Sequence, residues 1–252
     1  MHSFSKDARP SVGRYVPPGK DLTDYRLEAE PNHITRAVVV QASVDGTDNS
    51  RIVQLLQSEI GIALRGVAMI DPEATNLQAL NAAGIRALRI QDRTRLGLNE
   101  LDSLPALARR AAEVDWHIEL NTEPARYDTL AAQLATLPGG QRLVLDHIGH
   151  VDPTDVAQAD ALCRLLDTGR VWVKLALTRV SRQDDFGDLA GLVARLASGY
   201  PDRCLWGSDW PHVMTEPPLP DIGRMLAFLA GVLSEAQMLA CTWTNPSQLY
   251  RF

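Results

Sequence analysis

The amino-acid sequence predicts an α/β fold, a (β/α)8 barrel of the TIM type whose first strand is missing or truncated at the N-terminus. Short runs of Val, Ile and Leu alternate along the chain with longer amphipathic segments, which is typical of parallel strands joined by helical crossovers. Seven such runs are present, whereas a closed barrel needs eight strands. The length of 252 residues suits one barrel domain that spans residues 1–252.

The seven runs lack strict alternation of apolar and polar residues, so they are typical of strands that are buried on both faces. They are residues 34–42, 64–70, 85–90, 116–120, 143–146, 171–175 and 204–206. Because the first run begins only at residue 34, we expect the absent strand to lie at or before Met1. An open doubly wound sheet is the alternative, but no GxGxxG turn follows any run.

Three segments between the runs are predicted to be helices. Residues 48–60 place four apolar side chains on one helical face. Residues 99–114 begin at Asn99, a residue that commonly caps helices. Residues 153–166 begin with Pro153 at the first helical position. Strands and helices therefore alternate through most of the chain.

The composition excludes several classes of function. The formal net charge is −6, from 25 basic and 31 acidic residues, so we expect no nucleic-acid partner. The three cysteines are odd in number and form no CxxC pair, which disfavours a disulfide framework or a thiolate metal site. Neither a signal peptide nor a membrane span is recognised, so we expect a cytoplasmic protein without a membrane partner.

In a barrel of this type, catalytic side chains lie at the C-terminal ends of the strands. Asp209 follows the seventh run between Trp206 and Trp210, and such neighbours lower the local dielectric and can tune a carboxylate as a base. His147 follows the fifth run, where it can polarise a carbonyl, bind a metal or act as an acid. Arg89 is a charge within the third run, so it should face the barrel mouth and suits carboxylate binding. A capping aspartate and a hydrogen-bonded core histidine are the structural alternatives.

Two further polar residues near the strand ends, Asp146 and His117, have ordinary structural explanations. Asp146 can orient a neighbour or satisfy a backbone group. His117 follows Trp116 at the start of a run, at the end of the barrel that is associated with stability, so we assign it a structural role. The remaining polar residues at or near the strand ends stay candidates for the active site: Gln41, Ser43, Asp71, Gln91, Asn121, His150, Lys174, Arg179, Ser208 and His212.

Several motifs, taken in order, carry a resemblance to a known family. They are RYVPP at 14–18, VQAS at 40–43, GIRALR at 84–89, WHIELN at 116–121, LDHIG at 145–149, VWVK at 171–174, LWGSDWPH at 205–212 and TNPSQLY at 244–250. Their order and spacing resemble the 2-pyrone-4,6-dicarboxylate lactonase branch of the amidohydrolase superfamily. The resemblance covers nearly the whole chain, and the DHIG and WGSDWPH segments are its most specific parts.

The resemblance implies a catalytic group of histidines and an aspartate. In that family the first strand carries an HxH pair, a later strand ends in a histidine and the last strand ends in an aspartate. His147 and Asp209 match the latter two, and His2 matches the second member of the pair. The branch is similar to enzymes that work without metal, so we expect no cofactor. The alternative is Zn²⁺ held by His2, His147 and Asp209, although the strand that would often add a ligand ends in Asn121.

The resemblance also implies a carboxylate-binding site made of a tyrosine, a serine and several arginines. The residues that we assign to substrate binding are Tyr15, Ser43, Arg89, Arg95, Asn121, His150 and Arg179. His150 stands where the family often has arginine. A histidine is a weaker anion clamp near pH 7, which favours a smaller or less acidic lactone.

Together with the resemblance, these assignments predict a hydrolase that opens the lactone of a small carboxylate-bearing substrate, such as a 2-pyrone-dicarboxylate or a sugar-acid lactone. Asp209 would activate water, and His147 with His2 would hydrogen-bond the developing oxyanion. A zinc-dependent hydrolase or decarboxylase is one alternative. A truncated, inactive relative that keeps only a ligand-binding or assembly role is another. An open barrel exposes two strand edges, so a homo-oligomer is also an expectation.

Overall fold

The computed structural model describes residues 1–4, 18–73, 76–93, 97–215 and 218–252, and its centre is a sheet of parallel strands. Within this described part the sheet has seven strands, each paired with its neighbour in chain order. The strands are β1 (Arg36–Val40), β2 (Ala63–Ala68), β3 (Ile85–Gln91), β4 (His117–Asn121), β5 (Leu143–Leu145), β6 (Val171–Leu175) and β7 (Cys204–Trp206). All seven predicted strands are confirmed. The arrangement is consistent with a TIM-type barrel that lacks one strand, with β1 and β7 at the open edges.

Ten helices accompany the strands in the described part of the chain: one precedes β1, six lie between successive strands, and three follow β7. They are α1 (Leu22–Ala29), α2 (Ser50–Leu56), α3 (Leu77–Ala82), α4 (Leu104–Ala112), α5 (Tyr127–Leu134), α6 (Val156–Asp167), α7 (Ala190–Gly199), α8 (Ile222–Val232), α9 (Glu235–Leu239) and α10 (Asn245–Tyr250). Among the described residues, no helix is both long and apolar enough to cross a membrane.

The predicted helices exist, but all three begin later than predicted, and the one expected over 48–60 spans Ser50–Leu56. The helix expected at Pro153 begins at Val156, because the Asp155 side chain accepts a hydrogen bond from the Gln158 N–H and caps the first turn. The helix expected at Asn99 begins at Leu104, after a short 3₁₀ turn. Prolines and capping residues near a helix start thus predicted the helix but not its first residue.

Two apolar layers show that the sheet is curled. Residues that point outward along the strands pack against the helices in the larger layer. Residues that point inward from five of the strands form a second layer with the C-terminal helix, namely Val40, Val67, Ala87, Val144 and Leu205 with Leu249 and Tyr250. Tyr250 packs edge-on against His117, the first residue of β4. The C-terminal helix therefore fills the interior at the N-terminal ends of the strands and leaves the opposite ends for the candidate site.

The first two residues lie between the open edges of the sheet. The Met1 amino group donates to the Val38 carbonyl over 3.0 Å, and the Val40 N–H donates to the Met1 carbonyl over 2.7 Å. On the other side, the His2 N–H donates to the Trp210 carbonyl over 2.8 Å. These bonds place His2 at the C-terminal end of β1, where the catalytic side chains of a barrel are found.

We predict that Asn245→Ala lowers the free energy of unfolding by about 2–4 kcal/mol, since it removes the donor to two carbonyls, of which that of Cys204 is buried. The buried Asn245 amide donates to the carbonyls of Pro201 and Cys204, each over 2.8 Å. Urea unfolding measures the change. Gln248→Ala, at an exposed position of the same helix, is the control, and equal destabilisation by both substitutions would contradict the prediction.

Candidate active site

Four of the predicted site residues meet at one cavity. The cavity has a volume of about 570 Å³, and His2, Arg89, His147 and Asp209 line it. Within the described part of the chain, its lining does not include Ser43, Asn121, His150 or Arg179. Tyr15 and Arg95 lie outside the described residues. The three predicted catalytic residues thus line one cavity. Of the predicted substrate-binding residues that the structure describes, only Arg89 lines it.

Asp209 is an ionised carboxylate with one oxygen already engaged. The Arg179 Nε donates to its Oδ2 over 2.6 Å, and the Thr178 hydroxyl donates to the same oxygen over 3.2 Å. Burial alone would raise the pKa of Asp209, but His147 and Arg179 outweigh it and hold that pKa well below its ordinary value. Arg179, which the sequence suggested as a substrate contact, therefore binds the candidate base.

Both histidines at the cavity are neutral near pH 7. Burial, opposed by Asp209, lowers the pKa of His147, and burial together with Arg89 lowers the pKa of His2 further. The His2 Nδ1 lies 2.7 Å from the Val40 carbonyl oxygen, which can only accept. Nδ1 therefore carries the proton of the neutral ring, and Nε2 is left as an acceptor. In this geometry His2 can accept a hydrogen bond from water, and the donor to an oxyanion falls to His147.

The loop after β5 has an unusual backbone conformation. Four consecutive residues have positive φ, namely His147 at 50°, Ile148 at 52°, Gly149 at 63° and His150 at 55°. The Tyr127 hydroxyl donates to the Gly149 carbonyl over 2.6 Å, and a Cβ at Gly149 would lie 2.0 Å from the same hydroxyl oxygen. Only glycine fits there. Left-handed conformations of this kind cluster at functional sites, and this one aims His147 into the cavity.

Asn121 and His150 belong to a hydrogen-bonded chain beside the cavity. The His150 Nε2 lies 2.7 Å from the Asn121 amide oxygen, and its Nδ1 lies 2.6 Å from the Arg93 guanidinium. Arg93 in turn donates from Nε to Glu123 over 3.1 Å. On the other side, the Asn121 amide contacts the side chain of Gln91 over 2.7 Å. The Arg93 guanidinium is therefore the group that engages the His150 ring.

A buried ionic cluster, formed by Lys174, Glu119, Asp146 and Tyr250, lies on the inner side of the sheet. The Lys174 ammonium bonds Glu119 and lies 2.9 Å from Asp146 Oδ1, and the Tyr250 hydroxyl donates to Glu119. Burial would lower the pKa of Lys174, but the two carboxylates raise it above its ordinary value, so the ammonium stays charged.

Lys174 and Asp146 line the cavity as well, so the cluster forms part of its floor. Glu119 was missed by the sequence analysis. The sequence feature that could have identified it is a carboxylate inside an apolar run. Glu119 lies two residues after His117 and two before Asn121, so all three side chains share the inward face of the strand. The same reasoning had identified Arg89.

The described residues do not fit the expected zinc alternative. No three His, Cys, Asp or Glu side chains among them are arranged so that they could hold a metal ion. His2, His147 and Asp209 are near one another, but Arg179 engages the Asp209 carboxylate and Val40 orients His2.

Comparison with known proteins gives consistent matches over nearly the whole chain. The amidohydrolase family model matches residues 6–252. The 2-pyrone-4,6-dicarbaxylate hydrolase of Comamonas testosteroni is 30% identical over 250 residues, which cover 91% of this chain and 81% of that protein. The 4-sulfomuconolactone hydrolase of Hydrogenophaga intermedia is 30% identical over 253 residues, covering 94% and 81%. A probable 2-pyrone-4,6-dicarboxylic acid hydrolase from Acinetobacter baumannii, solved with citric acid bound, superposes with a TM-score of 0.84 at 25% identity and covers 100% of this chain and 97% of that one.

We predict that Lys174→Met lowers the free energy of unfolding by about 3–5 kcal/mol, because it leaves two buried carboxylates without their cation. The double variant Lys174→Met, Glu119→Gln should recover part of this loss, since one of the two uncompensated charges is then removed. Urea unfolding of each variant measures the effect. The control is Lys20→Met at an exposed position, and a loss at Lys174 no larger than at Lys20 would contradict the prediction.

Proposed function

This chain belongs to the amidohydrolase family, and from that premise we propose that it hydrolyses the ester bond of a small lactone that carries a carboxylate. The observation that carries the proposal is that Asp209, two histidines and Arg89 line one cavity, and the lowered pKa of Asp209, His147 and His2 agrees with a carboxylate base beside neutral imidazoles. The curated relatives act, by their names, on lactones or cyclic esters that bear acidic groups.

The proposed reaction begins with water between Asp209 and His2. Asp209 uses its Oδ1 to take a proton from the water, while the His2 Nε2 accepts a hydrogen bond and holds the same molecule. The water oxygen attacks the lactone carbonyl carbon and forms a tetrahedral oxyanion. The His147 ring then donates to that oxyanion, with the Arg89 guanidinium supplying positive charge close by.

The second half of the reaction breaks the ring. The oxyanion collapses, the bond between the carbonyl carbon and the ring oxygen breaks, and Asp209 returns its proton to the departing oxygen. The products are one hydroxyl group and one carboxylic acid, which ionises near neutral pH. Each turnover therefore releases one proton, so hydrolysis can be followed by the acidification of a weakly buffered solution.

Arg179 has a further role in this proposal, because it binds the Asp209 carboxylate. A base held at a low pKa is weak, so the Arg179 contact keeps Asp209 less reactive. A substrate carboxylate that draws Arg179 away would remove that contact and raise the pKa of Asp209 toward its ordinary value. Substrates without a carboxylate would leave the base in its weaker state.

The first experiment measures proton release from a pyrone dicarboxylate, a muconolactone and a sugar-acid lactone, each with and without a chelator. We expect turnover that the chelator does not change. Asp209→Asn should lower kcat by about 10²–10⁴-fold, the usual contribution of a general base. Asp71→Asn, another aspartate that follows a strand, should leave kcat unchanged. Retention of most activity by Asp209→Asn, or loss of activity with the chelator and its return with Zn²⁺, would overturn the proposal.

A second experiment follows kcat/KM against pH in Arg179→Met. Removing the cation raises the pKa of Asp209, and the base must be deprotonated to act. We therefore expect the loss of activity on acidification to begin at a pH about 1–3 units higher than in the unsubstituted enzyme. Arg182→Met, which removes an exposed partner of Asp152, is the matched control, and an unmoved profile in Arg179→Met would contradict the role of Arg179.

A further inference from the structure

Helix α1 packs against the loop that carries Asp209. The rings of Tyr25 and Trp210 meet edge to face with 5.2 Å between their centroids, and the Trp210 indole N–H donates to Glu28 Oε1 over 2.9 Å. Trp210 directly follows Asp209 and is 1% exposed. The helix therefore holds the residue next to the candidate base by one ring contact and one hydrogen bond.

Hydrogen bonds fix both ends of α1. A capping box between Asp21 and Asp24 closes its first turn. At its other end, the Asn32 amide donates to the Glu28 carbonyl over 2.8 Å. Tyr25 and Glu28 are three residues apart, so their side chains lie on one face of the helix, and that face is turned toward the loop. The helix thus presents a fixed acceptor to the indole.

The main chain of the same loop contacts the cavity. The Trp210 carbonyl accepts from the His2 N–H over 2.8 Å, and the His212 N–H donates to the Asp209 carbonyl over 2.8 Å. Asp209 has a φ of 56°, a conformation that few residues other than glycine adopt. Because the indole and the carbonyl belong to one residue, a shift of the Trp210 side chain moves both the Asp209 carboxylate and the His2 ring.

The burial of Trp210 gives the hydrogen bond to Glu28 its weight. An indole N–H can only donate, and a buried donor that loses its acceptor keeps the cost of its lost hydration. With the Glu28 oxygen in place, the indole has one favourable orientation. Without it, the indole has to turn toward water or another acceptor, and the loop follows.

We propose that Glu28 is a positioning residue for the active site. Through the Trp210 indole it keeps the Asp209 carboxylate and the His2 ring where they hold the attacking water. On the cavity side, Arg179 fixes the same carboxylate, so the loop is held from two sides. The catalytic part of this role rests on the proposed lactone hydrolysis, whereas the placement of the loop does not.

Amide hydrogen exchange measures the placement of the loop without any substrate. Glu28→Gln keeps an acceptor oxygen at the same distance from the backbone, whereas Glu28→Leu has a similar size and no acceptor. We expect the His2 and His212 amides to exchange at least about tenfold faster in Glu28→Leu than in the unsubstituted protein, and at an unchanged rate in Glu28→Gln. Glu30→Leu, which removes an exposed carboxylate beside the same helix, is the matched control.

Lactone turnover gives the second measurement. Glu28→Leu should lower kcat by about 10–100-fold, because the base is displaced from the attacking water. KM should change less than about threefold, because Arg89 stands on β3 and not on the loop. Glu28→Gln should keep most of the activity. Trp210→Phe, which retains a ring against Tyr25 but has no N–H, should lower kcat by a similar factor, and adding Glu28→Leu to it should lower kcat no further.

Exchange at His2 and His212 that is as slow in Glu28→Leu as in Glu28→Gln would overturn the proposal. Equal losses of kcat in the two Glu28 variants would do the same, as would losses that add up in the double variant. If the unsubstituted protein opens no lactone, the proposed hydrolysis fails, and the exchange rates still decide whether Glu28 positions the loop. If Glu28→Leu does not fold, the same rates in Trp210→Phe decide it.

Discussion

The bond of one ammonium group to two carboxylates holds the inner face of the sheet together. Lys174 stands on β6, Glu119 on β4, and Asp146 directly after β5, so a single cation joins three neighbouring strands. Two carboxylates in a buried space would otherwise repel each other and lose hydration that nothing replaces. Since His147 is the next residue after Asp146, the same contact fixes where the candidate catalytic loop leaves the sheet. The stability of the fold and the position of the candidate site therefore both depend on the ion pairs of Lys174 with Glu119 and Asp146.

The loops that follow β5 and β7 adopt backbone conformations that most residues avoid. His147, Ile148, His150 and Asp209 all have positive φ although none is glycine, and such residues cost about 1–3 kcal/mol each. The cost is tolerated because each loop is held elsewhere, by the Tyr127 hydroxyl after β5 and by Arg179 after β7. The two loops thus direct an imidazole and a carboxylate into the same cavity.

The strands, and the positions of Asp209 and His147 at their ends, could be predicted because they follow from local patterns: an apolar run and the polar residue after it. The positions of Asn121 and His150 could not, because they depend on Arg93, whose loop conformation no local pattern encodes. Glu119 was within reach of the reasoning that found Arg89. The acceptor role of His2 was not, since it depends on the carbonyl of a residue 38 positions away in the sequence.

That carbonyl has a consequence for how the site can change over evolutionary time. Every amino acid at position 40 supplies the same oxygen, so no ordinary substitution there removes the acceptor that fixes the His2 ring. Side-chain variation at position 40 would therefore report only the packing of the inner apolar layer, even though the atom that orients the imidazole belongs to that residue. Main-chain contacts of this kind leave no trace in side-chain identity, and their importance becomes visible only when the path of the strand itself is altered.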